Sequence, residues 1–229
     1  MSTKTNRNKY TLEGLVIVGS ILLALAIESW WEERGNRILE RELLTALEIE
    51  LIEARAQYVD YRDYLAEVMI IAYGSIKLMD GNDLDLPDQE RANRIALSVG
   101  PIDKYFPPKA ALNDILNNGG ITFIESQEIR QAISNYQQSL ALDSSTQDML
   151  EDIWLTQLTP YRYKFGTLGL NLEELGIQVT RSDASLRAHL NNTEYRNIIT
   201  AHIRRTENVR IIHTEVIQVI DSLLGLLGD

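Results

Sequence analysis

An uncharged, almost wholly aliphatic run from Gly14 to Ile27 constrains this chain more than any other stretch of it. As a helix that run rises only ~21 Å, short of a ~30 Å hydrocarbon layer, but the span from Tyr10 to Trp31 rises ~33 Å and reaches across. Tyr10 at one end, and Trp30 and Trp31 at the other, are amphipathic rings of the kind that favour membrane interfaces. Glu13 and Glu28 fall near the two edges of the apolar zone. Lys9 precedes Glu13 by four residues, on the same helical face, so a compensating pair is expected there. Glu28 has Glu32, not a cation, one turn on, and an unpaired carboxylate near lipid is costly. We read its side chain as reaching headgroup water. Gly19, Ser20 and Ala24 set small residues close together, which permits tight helix contact in lipid, although such residues are common in membrane helices anyway.

A cleaved secretory signal is the main rival. Lys4, Arg7 and Lys9 form a basic leader, and Ala24-Leu25-Ala26 resembles a cleavage site. The helical pattern runs straight through that site, so we expect an uncleaved signal anchor. Orientation is nearly balanced by the basic count, with Arg34, Arg37 and Arg41 on the far flank. We expect the N-terminus inside and the bulk of the chain outside the cytoplasm.

The 229 residues leave enough chain after the anchor for one domain with its own core. The formal net charge of −11 opposes binding to nucleic acid and adsorption to anionic lipid. With no cysteine, there is neither a disulfide framework nor thiolate chemistry. Few prolines and no low-complexity tract argue for an ordered chain.

After the Glu32-Glu33-Arg34 exit, Leu44, Leu47, Leu51, Ala54, Tyr58, Tyr61, Leu65, Val68 and Ala72 recur at three- and four-residue spacing. The spacing predicts a helix to Met79, with Gly35 as a possible bend. Leu43, Ile52, Val59, Met69 and Ile76 widen the stripe, so a bundle helix fits better than a free coiled coil. Asp80-Gly81-Asn82 stops it. Short helices are expected over 88–98 and 109–118, the latter closed by Gly119 and Gly120, and an extended stretch over 121–124. Ser126 is placed to cap a second long helix through Ile129, Ile133, Tyr136 and Leu140 to about Leu158, with Thr159-Pro160 ending it. Residues 161–175 resist assignment, and 186–190 suit a turn or two. Asn192 or Thr193 caps the last helix, whose stripe runs from Tyr195 through His202, Thr206 and His213 to Leu227. The expectation is an all-α fold, a single N-terminal transmembrane helix followed by an elongated antiparallel helix bundle. Its parts are a polar tail over 1–9, the membrane helix over 10–31 and a helical domain over 32–229.

No constellation in the chain amounts to a catalytic, cofactor or metal site. His202 and His213 are three turns apart on an apolar stripe, without a metal-binding partner motif, and read as core histidines satisfied by polar neighbours. Glu40, Glu42, Glu48, Glu50 and Glu53 lie mostly off the stripe and read as a solvated face. The Glu-x-x-His pattern of di-metal bundles, phosphate loops and nucleophile elbows are missing from the sequence. Tyr58, Tyr61 and Tyr64 read as core packing with hydroxyls at the rim. Asn191-Asn192-Thr193 fits a glycosylation acceptor, a frequent chance match.

Three stretches carry a resemblance. Ile27 to Arg34, with Trp30 and Glu32-Glu33-Arg34, resembles an Ile-Asn-Asn-Trp-Asn-Glu-x-Arg exit motif, with Glu28, Ser29 and Trp31 in place of amides. Phe106, Leu116, Gly119, Ile121, Ile124, Glu128-Ile129-Arg130, Ile133 and Tyr136 resemble a central Ser-Gly-x-Leu-x-x-Ile…Leu-Arg…Ile…Tyr block, with Asn118 in place of Ser. Asn191 to Ile198 resembles the start of a final helix. Together they are similar to an uncharacterised bacterial family, a domain of unknown function with an N-terminal membrane helix and an α-helical region. The resemblance implies this architecture and no reaction.

The functional expectation is therefore a single-pass, non-catalytic protein of the bacterial inner membrane, N-terminus cytoplasmic and helical domain periplasmic. It would act as a structural or accessory subunit of a membrane assembly. Its partners would be membrane lipid and either other proteins or copies of itself, through the transmembrane helix and the bundle. The alternative is an extracytoplasmic ligand-sensing bundle that signals through a partner. An enzyme with an unfamiliar site is a third reading, which bound metal in the purified protein would revive.

Overall fold

The computed structural model describes residues 4–81, 87–165 and 192–228, and every regular element among them is helical. The longest is α1, Lys4–Met79, which runs unbroken past Gly35. Leu, Ala, Glu and Arg dominate it after residue 31, all strong helix formers, and no proline interrupts it, so isolated glycines at ~1 kcal/mol each do not break it. It ends where Gly81 takes a positive φ of 78° and its N–H turns back to the Leu78 carbonyl at 3.2 Å. The remaining elements are α2 (Asp88–Leu97), α3 (Ala110–Asn117), a 3₁₀ turn (Gly120–Phe123), α4 (Gln127–Ile153), a π-helical turn (Trp154–Leu158), α5 (Thr159–Phe165) and α6 (Thr193–Gly228). The chain divides into two compact units, one of Met1–Ile49 with Lys109–Gln127, the other of Glu50–Pro108 with Glu128–Asp229.

In the first unit, α3 and the 3₁₀ turn meet the α1 segment around residues 37–43. Gly119 closes α3 with φ 79°, a conformation that side chains rarely adopt. Gly120 then approaches so closely that a Cβ there would lie 2.9 Å from the Ile115 Cα and 3.1 Å from a Leu43 methyl. The Glu125 N–H donates to Glu40 Oε1 at 2.7 Å, and Arg37 bridges Glu33 and, at 3.9 Å, Glu125. The expected extended stretch over 121–124 is thus a 3₁₀ turn, and only Ile124 is extended. Its short apolar run faces a packed helix with no neighbouring strand, so the backbone bonds locally.

The second unit is a helical bundle. Tyr58 of α1 meets Asp143 of α4, and Leu65 packs with Leu150, so these two helices run in the same direction. α6 runs against both: Asp80 pairs with Arg196, Leu65 packs with Val209, and Arg55 pairs with Asp221. The antiparallel packing expected from the sequence is there for α6. Between α1 and α4 the directions agree because the chain first travels back along α1: Ile102 packs beside Leu65, Tyr61 donates to the Asp103 carbonyl, and Tyr105 stacks on Tyr61 and meets Tyr58 edge to face. Lys104 fastens this return segment to α4 through Asp148 at 2.7 Å and Glu151 at 2.6 Å. A second core region joins Ala72, Ile95, Val99, Leu158, Tyr161 and Ile199, where Tyr161 stacks on Tyr195 at 4.7 Å.

Thr159-Pro160 does not end the second long helix. Pro160 has no N–H to offer the Thr156 carbonyl, and its ring crowds that group. The preceding turn widens to π spacing, with the Thr159 N–H bonding the Trp154 carbonyl, and the helix resumes as α5. Asn192 caps α6 as expected, its side-chain oxygen accepting the Tyr195 N–H at 2.9 Å. The expectations for residues 166–175 and 186–190, and the glycosylation acceptor Asn191, lie outside the described residues.

Candidate functional site

Two features carry functional weight, one at the start of α1 and one in the second unit. Among the described residues, two helices are long and apolar enough to cross a membrane, α1 near its N-terminus and α6. None of the α1 window is buried, with Leu15 70% exposed and Ile27 still 49%. Part of the α6 window is buried, and that helix turns His202, Thr206 and His213 inward with its aliphatic residues. Among the described residues nothing covers the apolar start of α1, whereas α6 has a partner for its stripe.

The eight sequence-derived candidates all sit on α1. Tyr10 lies in the helix, its side chain outside the described ones. Glu13, Gly19, Ser20, Ala24 and Glu28 are exposed, and Ser20 turns its hydroxyl back to the Ile17 carbonyl at 2.8 Å, which hides its polarity. A Cβ added at Gly19 would meet nothing within 4 Å, so the space beside it is open. Trp30 and Trp31 meet edge to face at 5.3 Å, and the Arg34 guanidinium lies over Trp30 at 5.7 Å. Trp30, Arg34, Arg37 and Arg41 line one face of the helix just beyond the apolar run.

The second feature is a buried polar cluster that brings together Tyr58, Tyr61 and His213, which the sequence presents separately, with Asp143 and Gln147, to which it assigns no role. Asp143, 2% exposed, stands at its centre. Tyr58 donates to its Oδ2 at 2.9 Å, and Gln147 donates to the same oxygen at 3.0 Å. His213 Nε2 lies 2.8 Å from Oδ1, but misaligned for a hydrogen bond, so the contact is an electrostatic one. Gln147 also clasps the return segment, accepting the Tyr105 N–H at 2.7 Å and donating to the Tyr105 carbonyl at 3.2 Å. Tyr58 and Tyr61 pack on the His213 ring at 4.9 and 5.3 Å. His213 Nδ1 and the Tyr136 hydroxyl have no hydrogen-bond partner among the described residues.

Burial first, and the Asp143 charge second, raise the Tyr58 phenol far above its ordinary range, and burial likewise raises Tyr61, Tyr105 and Tyr136. These phenols therefore stay protonated, and those of Tyr58, Tyr61 and Tyr105 serve as hydrogen-bond donors. His202, three turns away on α6, is held neutral: burial and the Arg162 charge lower it to about 4, and Thr206 Oγ1 sits 3.4 Å from its Nδ1. Both histidines are core residues, as expected. Tyr58 departs from the expectation of a rim hydroxyl, and Glu50 from that of a solvated face, since both are buried. No group of acidic or histidine residues arranged to hold a metal occurs among the described residues.

Chemically, donors from α1 and α4, with the His213 ring of α6, meet on one carboxylate, and Gln147 ties the return segment to them. It fixes which residues of four segments lie opposite one another. Asp143 and Gln147 fall on the α4 stripe of Ile133, Tyr136, Leu140 and Leu150, and polar residues at those stripe positions were the signal in the sequence that could have revealed them. Searched against family descriptions, curated proteins and solved structures, the chain matches none.

Proposed function

We propose that this chain is a single-pass membrane protein whose helical bundle serves as a non-catalytic structural or accessory subunit of a membrane assembly. The observation that carries the reading is the exposure of the apolar start of α1, in the same unbroken helix that continues into the bundle core. The Trp30, Arg34, Arg37 and Arg41 face supports it further, because tryptophan and arginine side chains suit the headgroup layer. The buried cluster supports a structural role, since its polar groups face one another. The segment spans with its N-terminus in the cytoplasm and the bundle in the periplasm of a bacterial inner membrane, and a membrane helix before an α-helical region is also the architecture of the uncharacterised family the sequence resembles.

The test is purification of the full chain from native membranes. Membranes washed with alkaline carbonate should retain it, and mild detergent should release a defined assembly, with partners identified by mass spectrometry. Release by carbonate alone, or a monodisperse monomer without partners in detergent, would overturn the reading.

A further inference from the structure

α1 carries a second stripe, on the side turned away from its core. In the second unit, Ile52, Val59, Ala66 and Tyr73 recur every seven residues, with Ala56, Asp63 and Ile70 between them in a four-three alternation. Ile52 is 55% exposed, Ile70 70% and Tyr73 51%, with Val59 and Ala66 half-buried between them, so the exposed apolar residues line up along one face. Strict seven-residue spacing is what a two-stranded seam requires, because only a helix with the same repeat follows it without drifting off. Three such repeats extend ~32 Å along the helix.

The flanks of the stripe say what covers it. Arg55 and Arg62 border one side, and Glu53, Asp60 and Glu67 the other. A helix basic on one flank and acidic on the other complements itself when two copies lie parallel, related by a two-fold axis along the seam. Arg62 then faces Glu67 of the second copy, and Arg55 faces Asp60. Arg55 already holds Asp221 of α6, which leaves Arg62 as the cleaner contact. The one acidic residue inside the stripe, Asp63, is accompanied by Arg62 at 2.9 Å.

We infer that the outer face of α1 from Ile52 to Tyr73 is a self-association surface, and that its occupant is the same face of a second copy in parallel register. The inference rests on the membrane anchor proposed above, which gives two copies one orientation and concentrates them in a plane.

The chain has no cysteine, so single cysteines report contacts without background. In native membranes, Ile52→Cys and Ile70→Cys should each form a disulfide-linked dimer on mild oxidation, and Thr200→Cys, exposed on α6, should not. In detergent, Arg62→Glu should weaken self-association about tenfold, since each two-fold dimer converts two attractive pairs to repulsive ones. Adding Glu67→Arg to the same chain should restore it, which a merely local effect at Arg62 would not. Equal cross-linking at Thr200, no cross-linking at 52 and 70, or no rescue by the double swap overturns the inference. A chain that stays in carbonate-washed membranes without cross-linking loses the seam and keeps the anchor. One that leaves them yet still cross-links loses the anchor and keeps the seam.

Discussion

The start of α1 and the whole of α6 are both long and apolar enough to cross a bilayer, yet their surroundings differ completely. Of the α6 window 28% is buried, against none of the α1 window. α6 alternates, hiding Tyr195, Ile199, His202, Thr206 and Val209 while leaving Glu194, Thr200 and Arg204 outside. The α1 segment has no such sides, since every described residue from Leu15 to Leu39 is exposed. Hydrophobicity alone does not distinguish a core helix from a membrane helix. Periodicity does, because a bundle covers one stripe and lipid covers the whole circumference.

Charges placed in each helix should separate the two roles with the largest effects. Leu22→Lys with Leu25→Lys, at positions 61% and 56% exposed, should add roughly 6 kcal/mol to insertion and move the chain out of the membrane fraction. The circular dichroism of the bundle should change little. Val216→Lys, at a position 0% exposed in α6, should leave fractionation unchanged and cost about 4 kcal/mol of bundle stability, seen as a lowered urea midpoint. If the α6 lysine instead abolished membrane retention, the assignment of the two helices would have to be exchanged.

Asp143→Ala tests what holds α6 in its register. It strips the acceptor from Tyr58 and Gln147 and the neighbouring oxygen from His213, all buried, at a cost of about 3–4 kcal/mol. Asp143→Asn keeps an oxygen for Tyr58 and should cost about half as much, so urea midpoints should rank native, Asn, then Ala. Equal midpoints for all three would mean that the cluster does not fix the packing.

Much of this arrangement was legible beforehand, and what was not has a common cause. The C-terminal end of α1, the ends of α2 and α3, the Asn192 cap and the inward histidines follow from spacing and local chemistry, so the sequence displays them, whereas α1 begins at Lys4, inside the stretch expected as a polar tail. The shared direction of α1 and α4 depends on a return segment whose path is set by Tyr105, Lys104 and Ile102 meeting residues far away in sequence. Asp143, in Asp143-Ser144-Ser145, reads locally as a polar interruption. Its role emerges only from Tyr58, 85 positions earlier, and His213. Pro160 was read as a stop because its effect on a regular turn is local, whereas the π turn that absorbs it is anchored by buried Leu158 in the core. Ile52 and Val59 were read as widening the inner stripe, and nothing in a single sequence tells an inner stripe from an outer one.

Acidification should next distinguish α6 from any lipid-facing helix. In the unfolded chain His202 takes up a proton near its ordinary 6.5, and in the fold burial and the Arg162 charge delay that to about 4. Between those values the unfolded chain holds a proton that the folded chain lacks. Stability therefore rises with pH from 4 to 6.5, falls on acidification through the same window, and is flat in this respect outside it. The full contribution is about 3 kcal/mol. Urea midpoints of the native chain should drop between pH 6.5 and 5, and His202→Gln should lose most of that slope. A variant with an unchanged slope would place the titrating group elsewhere.

The smallest effect concerns how the core helix begins. Asn192 turns its side-chain oxygen to the Tyr195 N–H at 2.9 Å, while its carbonyl accepts the Arg196 N–H at 3.0 Å. A helix that starts in water needs such a cap for its first N–H groups, and Tyr195, 1% exposed, ties that first turn to Ile95 through its hydroxyl at 3.1 Å. Asn192→Ala should cost about 1 kcal/mol, and Asn192→Asp should cost nothing or stabilise slightly, because a carboxylate suits a helix N-terminus. Hydrogen exchange would localise the loss: faster exchange at Tyr195 and Arg196, with Val209 to Ile220 unchanged. Uniform acceleration along α6 would mean that the helix opens as one piece from its cap. Its stability would then reside in its ends, not in the stripe that sets it apart from α1.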